Sequence, residues 1–231
     1  MMEDAVAKIC PACGAASSQT HRVPWSFHEK TSESERCWLY YRCPDCGAAW
    51  LETMKKWTPK DYAAKIYNED YHLCDREYNG VRSSKLLPKL MLFLLWVDQE
   101  KRVLDYGGGD GSMAELLRQR GIDAYTYDPY GKQDENALER QYNTVSAIEV
   151  LEHDIRPHDL FEKIGGLLVP GGVFIGTTEF IRENNIEDWF YANPRAGHCL
   201  LWTEKALDLV AEKHGFQPLL HSENWHIYRK D

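Results

Sequence analysis

The sequence has no apolar run long enough to cross a membrane. Its longest such run, Leu90 to Val97, falls far short of the roughly 20 residues that a membrane-spanning helix needs. An apolar signal-peptide core is also missing from residues 1–9, where charged side chains interrupt the apolar ones. We therefore expect a cytoplasmic globular protein that has no membrane partner.

Positive charge is scarce as well. The 231 residues include 27 lysines and arginines against 36 aspartates and glutamates, which gives a formal net charge of −9. Residues 1–60 are nearly neutral, with 8 basic against 7 acidic residues, so the rest of the chain carries the negative charge. Binding to a nucleic acid depends on lysine and arginine contacts with phosphates. The charge therefore disfavours a nucleic acid as the main partner without excluding one.

Glycine is concentrated in one short turn. Residues 103–111 read Val-Leu-Asp-Tyr-Gly-Gly-Gly-Asp-Gly, an apolar strand that runs into a glycine-rich turn, and Asp128 ends the next apolar stretch. Such a turn lets the backbone bend sharply and approach a ligand with no Cβ in the way. The dinucleotide fingerprint needs a further glycine where this chain has Ser112. The pattern therefore predicts a nucleotide cofactor and weakens the case for NAD.

The turn resembles the first motif of the class I S-adenosylmethionine (SAM) methyltransferases, apolar-apolar-Asp-x-Gly-x-Gly-x-Gly. Every fixed position is present, as Asp105, Gly107, Gly109 and Gly111. The resemblance implies that the turn faces the amino-acid part of SAM, that Asp105 helps to hold its ammonium group, and that Asp128 accepts hydrogen bonds from both ribose hydroxyls. A carboxylate suits that role because its two oxygens can take both donors. The alternative is a tight strand-to-helix connection that binds no ligand.

Four of the seven cysteines form two Cys-x-x-Cys pairs, each with proline after the first cysteine and glycine after the second: Cys10 with Cys13, and Cys43 with Cys46. Four thiolates in this pattern can converge on one Zn²⁺, and they leave no coordination position for water. We therefore predict a structural zinc in a ribbon. A disulfide or a redox dithiol is the alternative, although redox pairs rarely occur twice with the same flanking residues.

A helix is predicted at Ser83–Asp98, and strands and helices alternate after it, with a strand at Val173–Thr177 after Pro170-Gly171-Gly172. This alternation predicts an α/β fold with a Rossmann-like, doubly wound and mostly parallel sheet. We place the small zinc-ribbon domain at residues 1–56, aromatic linker or lid helices at 57–83, and the methyltransferase domain at 84–231. A final antiparallel strand pair is expected at Phe216–Leu220 and Trp225–Arg229.

The stretch between Asp128 and the strand predicted at Tyr142 is shorter than the family pattern needs. The family usually fits a helix, a third strand and another helix there. We therefore expect the third strand to be short or missing.

Two acids and a histidine follow the strand predicted at residues 144–148: Glu149, Glu152 and His153. On one helical turn they would lie at i, i+3 and i+4 and face one point. Glu-x-x-Glu-His resembles a pattern of the ubiquinone-pathway O-methyltransferases and the small-RNA 2′-O-methyltransferases. In some of these the pattern, together with a later histidine, binds a divalent cation that holds the acceptor hydroxyls. Here the later histidine would be His198.

Two other roles are open for these residues. His153 or His198 could act as a general base without a metal. Alternatively, the glutamates and histidines, Glu149 among them, could only cap the next helix and line the SAM pocket. Downstream, the aromatic loop at residues 188–195 suits a sugar-like or planar acceptor, and Arg195 could pair with a phosphate or carboxylate of it. A loop that simply packs on the sheet is an equal alternative.

We predict SAM-dependent methyl transfer to a small-molecule acceptor, such as a hydroxyl of a sugar or metabolite, because zinc-knuckled methyltransferases similar to this chain act on nucleotide sugars. Transfer would follow an in-line displacement in which the enzyme mainly aligns the reactants. One alternative is a tRNA or rRNA methyltransferase that binds RNA through its zinc ribbon. Another is a non-catalytic module that binds SAM or a protein. The sequence does not fix the acceptor or the oligomeric state.

Overall fold

The computed structural model describes residues 7–26, 37–77, 80–97, 102–182 and 186–231. The strands are β1 (Lys8–Ile9), β2 (Ala16–Ser17), β3 (Thr20–Pro24), β4 (Cys37–Arg42), β5 (Ala49–Leu51), β6 (Arg102–Tyr106), β7 (Asp123–Tyr127), β8 (Tyr142–Ile148), β9 (Leu168–Thr177), β10 (Leu200–Leu201), β11 (Phe216–Ser222) and β12 (Trp225–Lys230). The α-helices are α1 (Pro59–Lys65), α2 (Tyr71–Cys74), α3 (Val81–Trp96), α4 (Ser112–Arg118), α5 (Pro157–Leu167) and α6 (Glu204–Lys213). None of the helices in these ranges has the length and hydropathy to span a membrane.

The chain divides into two compact units, each built from separate stretches of sequence. Unit 1 comprises residues 1–74, 152–160 and 179–210. Unit 2 comprises residues 75–151, 161–178 and 211–231.

Unit 2 contains a six-stranded sheet in the order β11-β12-β9-β8-β6-β7. Strands β7, β6, β8 and β9 are parallel, and β12 and β11 add an antiparallel pair at one side. Residues 128–141, all of them described, form no further strand and contain only a 3₁₀ turn and an isolated bridge between Tyr127 and Gln133. The mostly parallel sheet and the missing third strand are as the sequence predicted, and β7 is left as the edge strand.

Helix α3 shows why this sequence packs against the sheet. Leu87, Leu90 and Leu94 recur at helical spacing and are buried, together with Met113 and Leu117 of α4. Burying a leucine side chain stabilises a fold by about 1.5–3 kcal/mol. The helix was expected at Ser83–Asp98, and Asp98 lies outside the described residues.

Strand β9 begins earlier than expected. The sequence predicted Val173–Thr177 after a Pro-Gly-Gly turn, but the strand starts at Leu168 and includes those three residues. The register of its pairing with β8 shifts between Tyr142 and Thr144, and Gly171 has a φ of +72°. The glycine lets an irregular strand accommodate a sequence that normally ends one.

Unit 1 contains a second sheet, in the order β10-β5-β4-β3, with all neighbours antiparallel. Its last strand comes from far along the chain: Leu200 pairs with Trp50, and Leu201 with Ala49. The aromatic linker expected at residues 57–83 contains the short helices α1 and α2. Tyr78 lies outside the described residues.

Candidate active site

The glycine turn lies at the carboxyl end of β6 in unit 2. Gly107, Gly109 and Gly111 all have positive φ, of 73°, 56° and 79°. Only glycine adopts this conformation readily. At Gly107 a side chain would also collide, because an added Cβ would lie 2.5 Å from Cγ2 of Val150. The predicted turn therefore needs its glycines for backbone shape and for space.

Asp128, at the carboxyl end of β7, lies against this turn. Its Oδ2 accepts a hydrogen bond from the N–H of Gly109 at 2.9 Å, and its Oδ1 accepts one from the N–H of Tyr130 at 2.7 Å. We call residues 128–133 the return loop, because the chain folds back here: the N–H of Lys132 donates to the carbonyl oxygen of Gly109 at 2.7 Å. Two elements far apart in the sequence are thus joined by hydrogen bonds.

Gly131 is the point of closest approach between the return loop and the glycine turn. A Cβ added to it would lie 2.2 Å from the carbonyl oxygen of Gly109. The Lys132 side chain likewise crosses Gly111, where an added Cβ would lie 2.6 Å from Cδ of the lysine. Sequence reasoning missed both residues, although a glycine just after the acid of β7 is the type of residue that permits such an approach.

Asp105 lies beneath the turn rather than at the surface. It is 2% exposed, and it accepts a hydrogen bond from Oγ of Ser146 at 3.2 Å. Burial raises its pKa to about 7, because an ionised carboxylate loses its hydration there. A cation placed beside Asp105 would lower that pKa again and would be bound by the ionised carboxylate.

A cavity of about 710 Å³ lies beside Gly111, within the range of small-molecule sites. The starts of α3 and α4 border it. Its polar lining comes from Ser84, Lys85, Asp110, Ser112, Glu115 and Lys132.

Glu149 does not start the helical turn that the sequence predicted. Its φ is +53°, and the 3₁₀ turn begins only at Leu151. Two hydrogen bonds fix this conformation: the N–H of Glu149 donates to Oγ1 of Thr177 at 2.8 Å, and that hydroxyl donates to Oε1 of Glu149 at 2.9 Å. The expected i, i+3, i+4 alignment is therefore not formed, and Glu149 is held by β9.

Glu152, His153 and His198 do come together, in unit 1. Their ligand atoms lie within 4.8 Å of one another. The two imidazole rings are perpendicular, with centroids 4.9 Å apart, and Nε2 of His153 lies 3.8 Å from Oε1 of Glu152. A carboxylate and two imidazoles are ligands that suit a divalent transition metal. We call these three residues the histidine cluster.

Tyr191 orients the histidine cluster, and sequence reasoning gave it no such role. Its hydroxyl donates to Oε1 of the buried Glu152 at 2.6 Å. Its carbonyl oxygen accepts from Nδ1–H of His198, also at 2.6 Å. Because this bond places the proton of neutral His198 on Nδ1, the Nε2 lone pair is directed elsewhere. That nitrogen can accept a proton or bind a metal.

Arg195 is part of the packing and not of an acceptor site. Its guanidinium donates to the carbonyl oxygen of Ile66 at 3.0 Å and to Oδ1 of Asn68 at 3.1 Å, and the residue is only 4% exposed. These contacts support the alternative of a packed loop over pairing of Arg195 with an acceptor phosphate or carboxylate. The same loop does expose one aromatic side chain, Phe190, at 62%.

The four predicted zinc ligands converge in unit 1. Sγ of Cys10 lies 3.6 Å from Sγ of Cys46, and Sγ of Cys13 lies 3.4 Å from Sγ of Cys43. These distances are far too long for a disulfide, at about 2.05 Å. They are close to the edge of a tetrahedron with Zn–S bonds of about 2.3 Å. The cysteines therefore fit a Zn²⁺ ion.

The two Cys-x-x-Cys turns, which we call the knuckles, have the same backbone geometry. Gly14 and Gly47 have φ of 80° and 77°, and their N–H groups donate to the carbonyl oxygens of Cys10 and Cys43 at 3.0 and 3.1 Å. Arg42 lies next to this centre, since a Cβ added to Gly47 would lie 3.6 Å from its Nη2. Burial lowers the pKa of Arg42, whereas the charges of Cys46 and Cys43 raise it.

Together, the parallel sheet, the glycine turn after β6 and the acid after β7 define the fold of the SAM-dependent methyltransferases. The family follows from comparison with known proteins. A family model described as a methyltransferase domain matches residues 78–221, more than half of the chain. The chain therefore belongs to this methyltransferase domain family, and the class predicted from the sequence is confirmed. No curated protein matches the sequence.

Solved structures share the fold. Human N-acetylserotonin methyltransferase in complex with SAM gives a TM-score of 0.56 at 17% identity, over 78% of this chain and 61% of that one. A putative O-methyltransferase from Nostoc punctiforme gives 0.53 at 15% identity, over 72% and 63%. A SAM-dependent methyltransferase from Archaeoglobus fulgidus gives 0.50 at 18% identity, over 64% and 75%. The chain thus spans about three fifths of the length of the first two.

Proposed function

We propose that this protein transfers a methyl group from SAM to a hydroxyl of a small molecule. The observation that carries the proposal is the hydrogen bond between Asp128 and Gly109, which joins the carboxyl ends of β6 and β7. When bound, SAM supplies a methyl group that its sulfonium activates. The Nostoc punctiforme neighbour, described as a putative O-methyltransferase, supports an oxygen acceptor. The net negative charge of the chain supports a small molecule over a nucleic acid.

The cofactor-binding roles follow from the chemistry of each group. Asp105 would bind the ammonium group of SAM, and ionisation of this carboxyl would accompany binding. Asp128 would accept from the ribose hydroxyls, because each carboxylate oxygen has a lone pair beyond the one that its backbone N–H uses. Gly107, Gly109 and Gly111 would let the backbone approach the ligand. Glu149, which is held in place by Thr177, would line the SAM pocket beside these residues.

His198 is the general base in this proposal. The hydrogen bond from its Nδ1 to Tyr191 fixes the tautomer in which Nε2 accepts a proton from the acceptor hydroxyl. Glu152 and His153 lie beside it, and the carboxylate would stabilise the imidazolium that forms. General-base catalysis of this kind contributes roughly 10²–10⁴-fold to a rate.

The test compares His198→Gln with a matched control, His72→Gln. His72 also bonds a backbone carbonyl through Nδ1, that of Glu69 at 2.8 Å, but it is exposed. Transfer of a labelled methyl group to a panel of hydroxyl compounds, nucleotide sugars included, gives the rates. We expect H198Q to lower kcat by about 100-fold, with unchanged affinity for S-adenosylhomocysteine (SAH), and H72Q to behave as the wild type. Full activity of H198Q would overturn the role of the histidine, and SAH binding without turnover would favour the non-catalytic alternative.

A divalent cation in the histidine cluster is a second candidate, supported by the convergence of Glu152, His153 and His198 within 4.8 Å. These residues would hold the cation, which would orient an acceptor hydroxyl and lower its pKa. Dialysis against a chelator tests this, with zinc in the ribbon followed by elemental analysis. Full activity while the ribbon retains its zinc would exclude the cation.

We also propose that Cys10, Cys13, Cys43 and Cys46 hold a structural Zn²⁺. Elemental analysis should find one zinc per chain, and Cys43→Ser should remove it. Cys37→Ser is the control, because Cys37 is exposed and lies outside the four-thiol group.

A further inference from the structure

The strands of the zinc ribbon are bonded to the backbone of the proposed catalytic histidine. Tyr40 of β4 is fully buried, and its hydroxyl donates a hydrogen bond to the carbonyl oxygen of His198. The N–H of Leu51 in β5 donates to the next carbonyl, that of Cys199, at 2.9 Å. Two consecutive peptide groups are thus held by two neighbouring strands of the ribbon.

The contacts continue from there to the second zinc knuckle. Strand β10 pairs with β5 directly after Cys199. Oγ1 of Thr203 then donates to the carbonyl oxygen of Cys46 at 2.6 Å, and Nζ of Lys205 donates to that of Asp45 at 2.7 Å. Residues 198–205 therefore follow the ribbon from its buried strands to the turn that holds two of the four thiols.

Cys199 links this run of contacts to the other side of the histidine cluster. Its N–H donates to the carbonyl oxygen of Glu152 at 2.8 Å, while its own carbonyl accepts from Leu51. Glu152 in turn accepts from Tyr191, whose carbonyl orients His198. The backbone and the side chain of His198 are therefore fixed by different partners. The ribbon bonds the backbone of His198, and Tyr191 bonds its imidazole.

We propose that the zinc ribbon is a positioning element of the active site, and that Tyr40 is the positioning residue through which it acts on His198. The inference rests on the proposed role of His198 as the base. This role of the ribbon requires neither RNA nor a partner protein. Its knuckles hold β4 and β5 in place, and these strands hold the peptide of His198 where its Nε2 can reach an acceptor.

The test replaces Tyr40 by phenylalanine, which removes the hydroxyl and keeps the ring. The matched control is Tyr41→Phe, the next residue of β4, whose ring stacks on Trp50 at 5.8 Å. A displacement of about 1 Å near reacting groups can cost up to 100-fold in rate, and loss of one of several bonds to this segment should cost less. We expect Y40F to lower kcat about tenfold with the KM for SAM unchanged, and Y41F to change neither.

A readout independent of activity is the imidazole ¹³Cε1–¹H resonance of His198, assigned with H198Q. We expect Y40F to shift it and Y41F to leave it in place. Wild-type kcat with an unshifted resonance in Y40F would overturn the proposal. If H198Q is fully active, the proposed base is wrong, and the resonance alone still shows whether Tyr40 positions the ring.

If Y40F does not fold, graded zinc removal from the wild type replaces it. Zinc release is followed with a colorimetric chelator, and folding by circular dichroism. We expect the His198 resonance to shift in proportion to the zinc released, before the circular dichroism of the α-helices is lost. A resonance that stays unchanged until the protein unfolds would overturn the proposal.

Discussion

The contact between Gly131 and Gly109 makes a single added methyl group a test of the cofactor site. A Cβ at residue 131 would lie 2.2 Å from the carbonyl oxygen of Gly109 and 2.8 Å from its carbon. A carbon normally approaches a carbonyl oxygen to about 3.3 Å at closest, so the two loops must separate by about 1 Å. That separation would stretch the bonds of Gly109 to Lys132 and Asp128, now 2.7 and 2.9 Å.

Two effects of Gly131→Ala are expected. Gly131 is exposed while Gly109 is buried, so crowding this contact should cost about 1 kcal/mol of folding stability, the lower end of the range for overpacking. Displacing the turn and the ribose-binding acid should weaken SAH binding by about 10- to 100-fold, or about 1.4–2.7 kcal/mol. Calorimetric titration with SAH measures the affinity, and urea unfolding measures the stability.

Gly166→Ala is the matched control, because a Cβ there meets nothing within 4 Å and the residue lies within α5. Alanine in a helix is favoured over glycine by up to about 1 kcal/mol. This control should therefore be slightly more stable than the wild type and should bind SAH equally well. If folded G131A binds SAH as the wild type does, the return loop does not set the position of the glycine turn.

Three further predictions concern ionisable side chains that are buried or half-buried. Without cofactor the protein should lose about 3 kcal/mol of stability between pH 5 and pH 8, because the folded-state pKa of Asp105, about 7, lies above its unfolded value of about 3.9. The neutral carboxyl therefore stabilises the folded state at low pH, and this stabilisation is lost as the pH rises to about 7. Asp105→Asn should remove most of this pH dependence of the free energy of unfolding, measured with urea. Arg195→Met should cost about 2 kcal/mol in the same assay, because it leaves the carbonyl oxygen of the buried Ile66 without this donor. It should leave SAH affinity unchanged. Arg42→Met should speed zinc loss to a chelator about tenfold, since an opposite charge beside the thiolates contributes about 1.4 kcal/mol at partial burial. An unchanged pH slope, stability or release rate would contradict the respective prediction.

The sequence was sufficient to predict those parts of the structure that are determined by residues close together in the chain. Val103 to Gly111 combine an apolar strand with glycines at fixed intervals, and both features follow from the backbone of that segment. The cysteine pairs were equally informative, because each knuckle is a short turn with one glycine. The closing pair β11–β12 also formed as predicted, since its strands are separated by a tight turn.

The conformation of Glu149 and the role of Tyr191 were not predicted, because they depend on long-range contacts and on an unusual backbone conformation. Glu149 has the left-handed conformation, which is rare for a residue with a side chain, and only the hydrogen bonds to Thr177 reveal why it occurs. Tyr191 was one aromatic residue among several in its loop, and its role depends on bonds to Glu152 and His198. No periodicity in the sequence encodes such contacts.

Strand β10 has a consequence for the order in which the protein folds during synthesis. The sheet of unit 1 begins with residues near the amino terminus. Its strand β5 can pair with β10 only when Leu200 and Leu201 have left the ribosome. Until then β5 is an edge strand, and Trp50 and Leu51, which are buried in the complete fold, lack the strand that covers them. Such edges invite pairing with other chains. A fragment that ends after residue 74 should therefore aggregate unless a peptide that supplies β10 is added.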